Sequence, residues 1–250
     1  MNDNSQIDYE LSLKYWADIP PTVDGVLGGF GFISDADIEG SQLFLKSILA
    51  LDNAPGTNLA LDCGAGIGRI TKHLLIPYFK KVDVIEPDEK FINTIGDFVG
   101  KDKSKIGTLY KVSLQEFEPE KKYDIVWNQW VLGYLTDEDL VLYLQRCRDA
   151  LSENGMIVIK ENVTSSGVTE KDDTDSSVTR SLKEYMKIFK LANLYRIKQC
   201  KQTNFPSGIY PVYMFALVPN GRVTESSNIM KTRSARSNIV NTQMCNNNKQ

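Results

Sequence analysis

Histidine is almost missing from this chain: among 250 residues there is one, His73. That excludes zinc sites built on histidine clusters and catalytic triads that pass a proton through histidine. Cysteine is scarce too. Cys63, Cys147, Cys200 and Cys245 stand without the paired spacing of a metal site or a disulfide framework, so a reducing compartment and no bound metal are expected. Long apolar runs are absent: the densest stretch, residues 209–219, covers 11 residues, is interrupted by Pro211, and is too short for a transmembrane helix. The first ten residues are polar, and no secretory signal is expected from them. What is present is an ordinary globular composition, 42% hydrophobic and 24% charged, on a chain long enough for one large domain or two small ones.

Charge is nearly balanced, 29 Lys and Arg against 32 Asp and Glu for a net −3, but it is unevenly placed. From residue 220 onward five cations face Glu225 alone, so that stretch carries +4 and the preceding 219 residues carry −7. The stretch is rich in Asn and Ser, a composition that buries too little surface to offset its ordering entropy, and a disordered, solvated tail is expected. The acidic body disfavours nucleic acid as a specific partner and suits a cationic one.

Between residues 59 and 217, short β-branched or apolar runs alternate with helical periodicity. Residues 59–61, 82–85, 109–112, 125–127 and 156–159 read as central strands, each too continuously apolar for a sheet with one wet face. Helices are expected over 67–79, 89–99 and 137–151, the last opened by a capping box of Thr136 and Asp139. Such alternation implies crossover connections and a parallel sheet. A helix over 177–194 then leads to strands at 195–198 and 210–217, paired as an antiparallel hairpin at the sheet edge. The seven strands give an α/β fold with a mostly parallel sheet. Ahead of it, helices are expected at 10–16 and 35–51, and between them four glycines at 25, 28, 29 and 31 mark either a lid or a plain connector.

The strongest local signal is Ala60-Leu-Asp-Cys-Gly-Ala-Gly-Ile-Gly-Arg-Ile70, a buried strand entering a glycine turn and then a helix. Glycine recurs at every second residue, 64, 66 and 68. A dinucleotide fingerprint needs its third glycine where Arg69 stands, so the pyrophosphate reading fails. The second strand ends Val84-Ile85-Glu86-Pro87-Asp88, which sets a carboxylate at a distance suited to ribose hydroxyls. Leu114 and Gln115 follow the third strand, where Leu114 is either core or a surface for a ring. Trp127-Asn-Gln-Trp130 closes the fourth strand, and polar Asn128 and Gln129 beside Trp130 favour an aromatic wall there over a core plug.

The strand-borne acidic residue and alternate-glycine loop resemble the first motif of class I S-adenosylmethionine-dependent methyltransferases, a Rossmann-like fold. A closer resemblance rests on Tyr15-Trp16, Ile19-Pro-Pro-Thr-Val-Asp-Gly-Val-Leu-Gly-Gly29, Gln129-Trp130, Ile159-Lys-Glu-Asn162 and Asp172-Asp-Thr-Asp-Ser-Ser-Val178. Together with the glycine loop these are similar to the protein α-N-terminal methyltransferases, which modify chains beginning Xaa-Pro-Lys or Xaa-Pro-Arg.

The resemblance implies that Gly64, Arg69, Glu86, Pro87, Asp88, Leu114, Gln115 and Gln129 hold S-adenosylmethionine. It also implies an acidic channel where Asp175 and Asn162 hold the α-amine, Trp130 lies against the second-residue proline, and Asp172 with Ser177 meets the third-residue cation. Trp16, Leu27, Gly28 and Tyr210 would complete the peptide site. The chain then divides into an N-terminal helical extension with a glycine-rich lid loop (1–55), a cofactor-binding methyltransferase domain (56–219) and the polar tail (220–250). The partners implied are N-terminal tails of proteins, ribosomal or chromatin proteins among them, in the cytoplasm and nucleus, with no metal, membrane or specific nucleic acid.

One residue departs from the pattern: the family carries histidine, a proposed general base, where this sequence has Tyr134. Tyrosine, with an ordinary pKa near 10, is a poor proton acceptor at neutral pH. Asp175 or solvent then takes that role. Two alternatives follow: a methyltransferase acting on a lysine side chain or small-molecule amine, and a weakened module that only binds chain termini. His73, in the helix after the glycine loop, is expected on its surface.

Overall fold

A computed structural model describes residues 7–222. The sheet has seven strands: β1 (Leu59–Cys63), β2 (Lys81–Ile85), β3 (Ile106–Tyr110), β4 (Tyr123–Gln129), β5 (Leu151–Asn162), β8 (Leu194–Lys201) and β9 (Val212–Pro219), in the order β3-β2-β1-β4-β5-β9-β8. The first five run parallel, and β9 and β8 close the sheet antiparallel. Between β5 and β8 the chain makes a separate hairpin, β6 (Glu170–Asp172) on β7 (Ser177–Thr179).

Alternation along the strands sends successive residues into two cores. Ala60, Val82, Ile125, Trp127 and Val158 face α3 (Ser34–Leu49) and α4 (Glu89–Val99). Leu61, Ile85, Val126, Ile157 and Phe215 face α5 (Asp137–Asp149) and α6 (Leu182–Leu191). Thr136 caps α5 by accepting the Asp139 N–H at 3.1 Å, as its capping box predicts. Two shorter helices precede the sheet: α1 (Tyr9–Asp18), capped by Asp8, and α2 (Val23–Val26), capped by Thr22 within the glycine-rich segment. None of the described helices is long and apolar enough to cross a membrane.

Several sequence expectations are corrected. The strand expected at 109–112 is β3, and it sits at the sheet edge with Leu109 42% exposed, because only β2 pairs with it. The helix expected over 177–194 begins only at Leu182, after Ser181 caps it, since Ser177–Thr179 is drawn into pairing with the acidic segment. Glu170–Asp172 of that acidic segment is itself a strand. The helix expected over 67–79 contains a wide turn at Thr71–Leu75, and His73 lies exposed on it. The tail expected from residue 220 falls, from 223 on, outside the described residues.

Candidate active site

Strand order reverses between β1 and β4, and a ligand crevice is expected at the carboxyl ends of strands where this happens. A cleft opens there. Gly64, Arg69, Glu86, Pro87, Asp88, Leu114, Gln115 and Gln129 line it together with Trp16, Trp130 and Tyr134.

The glycine loop forms its first wall. Gly64 adopts φ +67°, and a Cβ there would come within 2.4 Å of Val131 Cγ2, so the position demands glycine on conformational and steric grounds. Glu86, 6% exposed at the end of β2, accepts the Gly66 N–H at 2.8 Å on Oε2 and the Asp88 N–H at 3.0 Å on Oε1. Each oxygen keeps a further lone pair for a hydroxyl. Burial pushes the Glu86 carboxyl up to about 7 despite those two N–H donors. Asp88 lines the rim, but its Oδ1 is committed to the first turn of α4, accepting from the N–H groups of Lys90 and Phe91.

The floor is a buried polar network that the motif pattern did not disclose. Asp37 on α3, fully buried, accepts from Arg69 Nη1 at 2.6 Å and from Gln129 Nε2 at 2.9 Å. On its far side Lys160 of β5, also fully buried, pairs with Asp37 Oδ1 at 2.5 Å. Burial raises the Asp37 carboxyl, but the Lys160 and Arg69 cations overcome that and hold it below its ordinary value. A signal for Asp37 existed: it falls on the same helical face as the buried Ser41, Phe44, Leu45 and Ile48.

The opposite end is aromatic. Trp130, directly after β4, has φ +53°, and its buried indole Nε1 has no hydrogen-bond partner. Its ring stacks on Phe205 at a centroid distance of 6.5 Å. Trp16 meets Tyr134 edge to face at 5.9 Å, and Tyr134 donates its hydroxyl to Asp175 Oδ2 at 2.6 Å. Burial first, then the Asp175 charge, raises the Tyr134 pKa, so this hydroxyl keeps its proton and acts as a donor. Asp175 Oδ1 accepts the Ser177 N–H at 3.1 Å. Helix α1 braces this corner: Ser12 Oγ donates to the Asp175 carbonyl at 2.8 Å, and the Asp8 N–H donates to Ser176 Oγ at 2.7 Å. Tyr9, Ser12 and Leu13 of α1 also line the cleft, and sequence reasoning missed all three.

Asp175 itself is not among the residues that line the cleft and reaches it through Tyr134, and the remaining expected residues also lie outside the cleft wall. Asp172 is exposed and accepts the Thr174 N–H, and Ser177 faces it across the hairpin. Tyr210 donates to Glu170 Oε2 at 2.6 Å, and Asn162 ends β5 opposite Val212. Leu27 is buried, whereas Gly28 is exposed at φ +59°.

In sum of charge and shape, the cleft offers a buried acceptor at Glu86, a guanidinium at Arg69, apolar surface at Leu114 and a glycine wall. That set fits the hydroxyl, carboxylate and ring portions of S-adenosylmethionine. Among the described residues no group of three or more His, Cys, Asp or Glu is placed to hold a metal ion.

Comparison with known proteins points the same way. A family model described as AdoMet dependent proline di-methyltransferase matches residues 4–218. The N-terminal Xaa-Pro-Lys N-methyltransferase 1-A of Xenopus laevis is 47% identical over 220 residues, which cover 87% of this chain and 97% of its own. The corresponding Homo sapiens N-terminal Xaa-Pro-Lys N-methyltransferase 1 is 46% identical over 211 residues, 84% of this chain and 94% of its own. A solved SAM-dependent methyltransferase of Leishmania major superposes with a TM-score of 0.78 at 36% identity, covering 87% of each chain. With its seven-stranded class I methyltransferase sheet and glycine-walled cleft, this chain belongs to the AdoMet dependent proline di-methyltransferase family.

Proposed function

We propose that this enzyme transfers methyl groups from S-adenosylmethionine to the α-amino group of protein chains that begin Xaa-Pro-Lys or Xaa-Pro-Arg. The observation that carries this reading is the Tyr134–Asp175 hydrogen bond at the aromatic end of the cleft. Tyr134 lines the cleft and meets Trp16 edge to face, so its bond ties the Asp175 carboxylate to the cleft wall. In this reading Glu86 accepts from the ribose hydroxyls, Arg69 and Gln129 meet the cofactor carboxylate, and Leu114 with Gln115 flanks the adenine. The cofactor, when bound, supplies an electrophilic methyl on a sulfonium.

Asp175 then holds the α-amine together with Asn162 and offsets the positive charge that develops on nitrogen. Trp130 packs on the proline ring. Asp172 and Ser177 take the third-residue cation at the exposed hairpin, with Leu27, Gly28 and Tyr210 along the peptide backbone. Selectivity against lysine side chains has an acid–base source. An α-amine with a pKa of about 7.7 to 8.0 is roughly one-tenth neutral at pH 7, whereas a lysine at about 10.4 is almost entirely charged. Since Tyr134 keeps its proton, the amine loses its own to solvent or to Asp175. An acidic body suits basic protein tails, such as those of ribosomal and chromatin proteins, and cytoplasmic and nuclear sites belong to the same proposal.

Mass spectrometry after incubation with a Pro-Pro-Lys peptide tests the reading. Methylation, each methyl group replacing one N–H hydrogen, is expected on the free terminus only. Methylation of the N-acetylated peptide would redirect the assignment to the lysine side chain, and no methylation of either would leave a module that only binds termini.

A further inference from the structure

Beneath the cleft, Lys160 is a fully buried cation that touches no surface of the cleft itself. Its ammonium is surrounded by Asp37 Oδ1 at 2.5 Å, the Asp37 carbonyl at 3.0 Å, Ser41 Oγ at 2.9 Å and Gln202 Oε1 at 2.8 Å. A lysine in such a place is costly unless it is paired and fully hydrogen-bonded, and here it is. Stability alone is a weak reason to keep it, because well-packed apolar residues replace buried ion pairs without loss in many proteins.

The charge inventory supplies another reason. Asp37 joins two cations, Lys160 and Arg69, and the three together carry one net positive charge. Without Lys160, Asp37 would cancel Arg69 outright. Arg69 would then present a neutral pair to the cleft, in a neighbourhood that already holds the buried carboxyls of Asp62 and Glu86. Resting on the reading of Arg69 as partner of the cofactor carboxylate, we infer that Lys160 is a positioning residue for cofactor binding: it takes up the Asp37 charge so that Arg69 keeps a full positive charge for an amino-acid carboxylate. Asp37 in turn fixes the orientation of both Arg69 and Gln129, since the same carboxylate accepts from each.

Calorimetry with two ligands separates this from a merely structural role. S-adenosylhomocysteine carries the amino-acid carboxylate, and 5′-methylthioadenosine is the same nucleoside thioether without it. Lys160→Met is expected to weaken S-adenosylhomocysteine about tenfold or more, the size of one unscreened unit charge near a partly buried site, and to leave 5′-methylthioadenosine within about twofold. Adding Asp37→Asn to Lys160→Met returns the net positive charge, and S-adenosylhomocysteine affinity should recover.

Equal weakening of both ligands, no weakening of either, or a double variant that binds no better than the single one overturns the inference. If Lys160→Met does not fold, Gln202→Glu provides the same readout, because it brings the net charge of the cluster to zero while Lys160 still donates to an oxygen of residue 202. Arg69→Ala is the control for the underlying reading. If it leaves the preference for S-adenosylhomocysteine intact, Arg69 is not the carboxylate partner. If it removes that preference while Lys160→Met and Gln202→Glu do not, the inference about Lys160 alone falls.

Discussion

The glycine-loop end of the cleft and its aromatic end are assembled in different ways. At the glycine-loop end, residues 64–69 and 86–88 directly follow parallel strands and 114–115 come shortly after a third, so the sheet delivers them in chain order to one crevice. At the aromatic end, the Asp175 corner is tied to α1 by hydrogen bonds across 168 and 163 residues, Asp8 to Ser176 and Ser12 to Asp175. The saturation of the two key carboxylates differs as well. Asp37, at the glycine-loop end, is buried and engaged by Arg69, Gln129 and Lys160. Asp175 is half-buried and has one side-chain partner, Tyr134. A saturated buried carboxylate organises other residues; a partly exposed one with spare lone pairs is free to take a cationic ligand.

The largest expected effect breaks the aromatic end alone. Asp175→Asn keeps size and hydrogen bonding but removes charge, so turnover should fall about 10²- to 10³-fold, as for loss of one well-placed electrostatic partner. Cofactor affinity measured by calorimetry should stay within about twofold. If both fall together, the two ends are not separable.

Next in size are Arg69→Ala and Glu86→Ala, which address the other end. Each should weaken S-adenosylmethionine binding by about 1.5 to 3 kcal/mol, the range for a hydrogen bond to a charged group. Circular dichroism is the check that the variants fold. Unchanged affinity in both would remove these residues from the cofactor site.

A pH titration sharpens the contrast further. Glu86 titrates at about 7 in the folded chain against an ordinary 4.5, so the folded chain binds this proton more tightly than the unfolded one. Its contribution to stability therefore becomes less favourable as pH rises from 4.5 to about 7. A ligand whose hydroxyls donate to the ionised carboxylate binds better above that value. Cofactor affinity should fall about tenfold from pH 8 to pH 6, and Glu86→Gln should flatten the dependence. A wild-type affinity constant across this range would show that Glu86 does not meet the ligand in its ionised form.

The smallest effect is expected at Tyr134. Because its hydroxyl only donates to Asp175, Tyr134→Phe should slow turnover a few-fold, the cost of one hydrogen bond to a charged group partly replaced by water. The rate should rise with pH through the peptide amine pKa of about 7.7 to 8.0 in wild type and variant alike. Abolished turnover in Tyr134→Phe with near-normal Asp175→Asn would make tyrosine the essential group.

Much of this protein is determined locally. Strands at 59–61, 82–85 and 125–127, the capping box at Thr136 and the terminal antiparallel hairpin follow from periodicity and turn chemistry, which act over a few residues. The glycine loop is legible for the same reason: Gly64 must reach a left-handed φ, and spacing alone separates it from a dinucleotide loop. The resemblance drawn from motifs supplied what local physics does not, namely that these segments belong to one family.

Tertiary structure decided the rest. Periodicity does not tell that Ser177–Thr179 pairs with an acidic strand instead of opening a helix, because that choice depends on a partner segment and on burial of Val178 between them and the core. Nor does it distinguish the edge strand β3 from its central neighbours, since edge position is a matter of strand order. Lys160 and Asp37 carry the clearest lesson. In sequence each is a charged residue of ordinary kind, 123 positions from the other; only folding places both where water is excluded and makes their pairing a consequence of that burial.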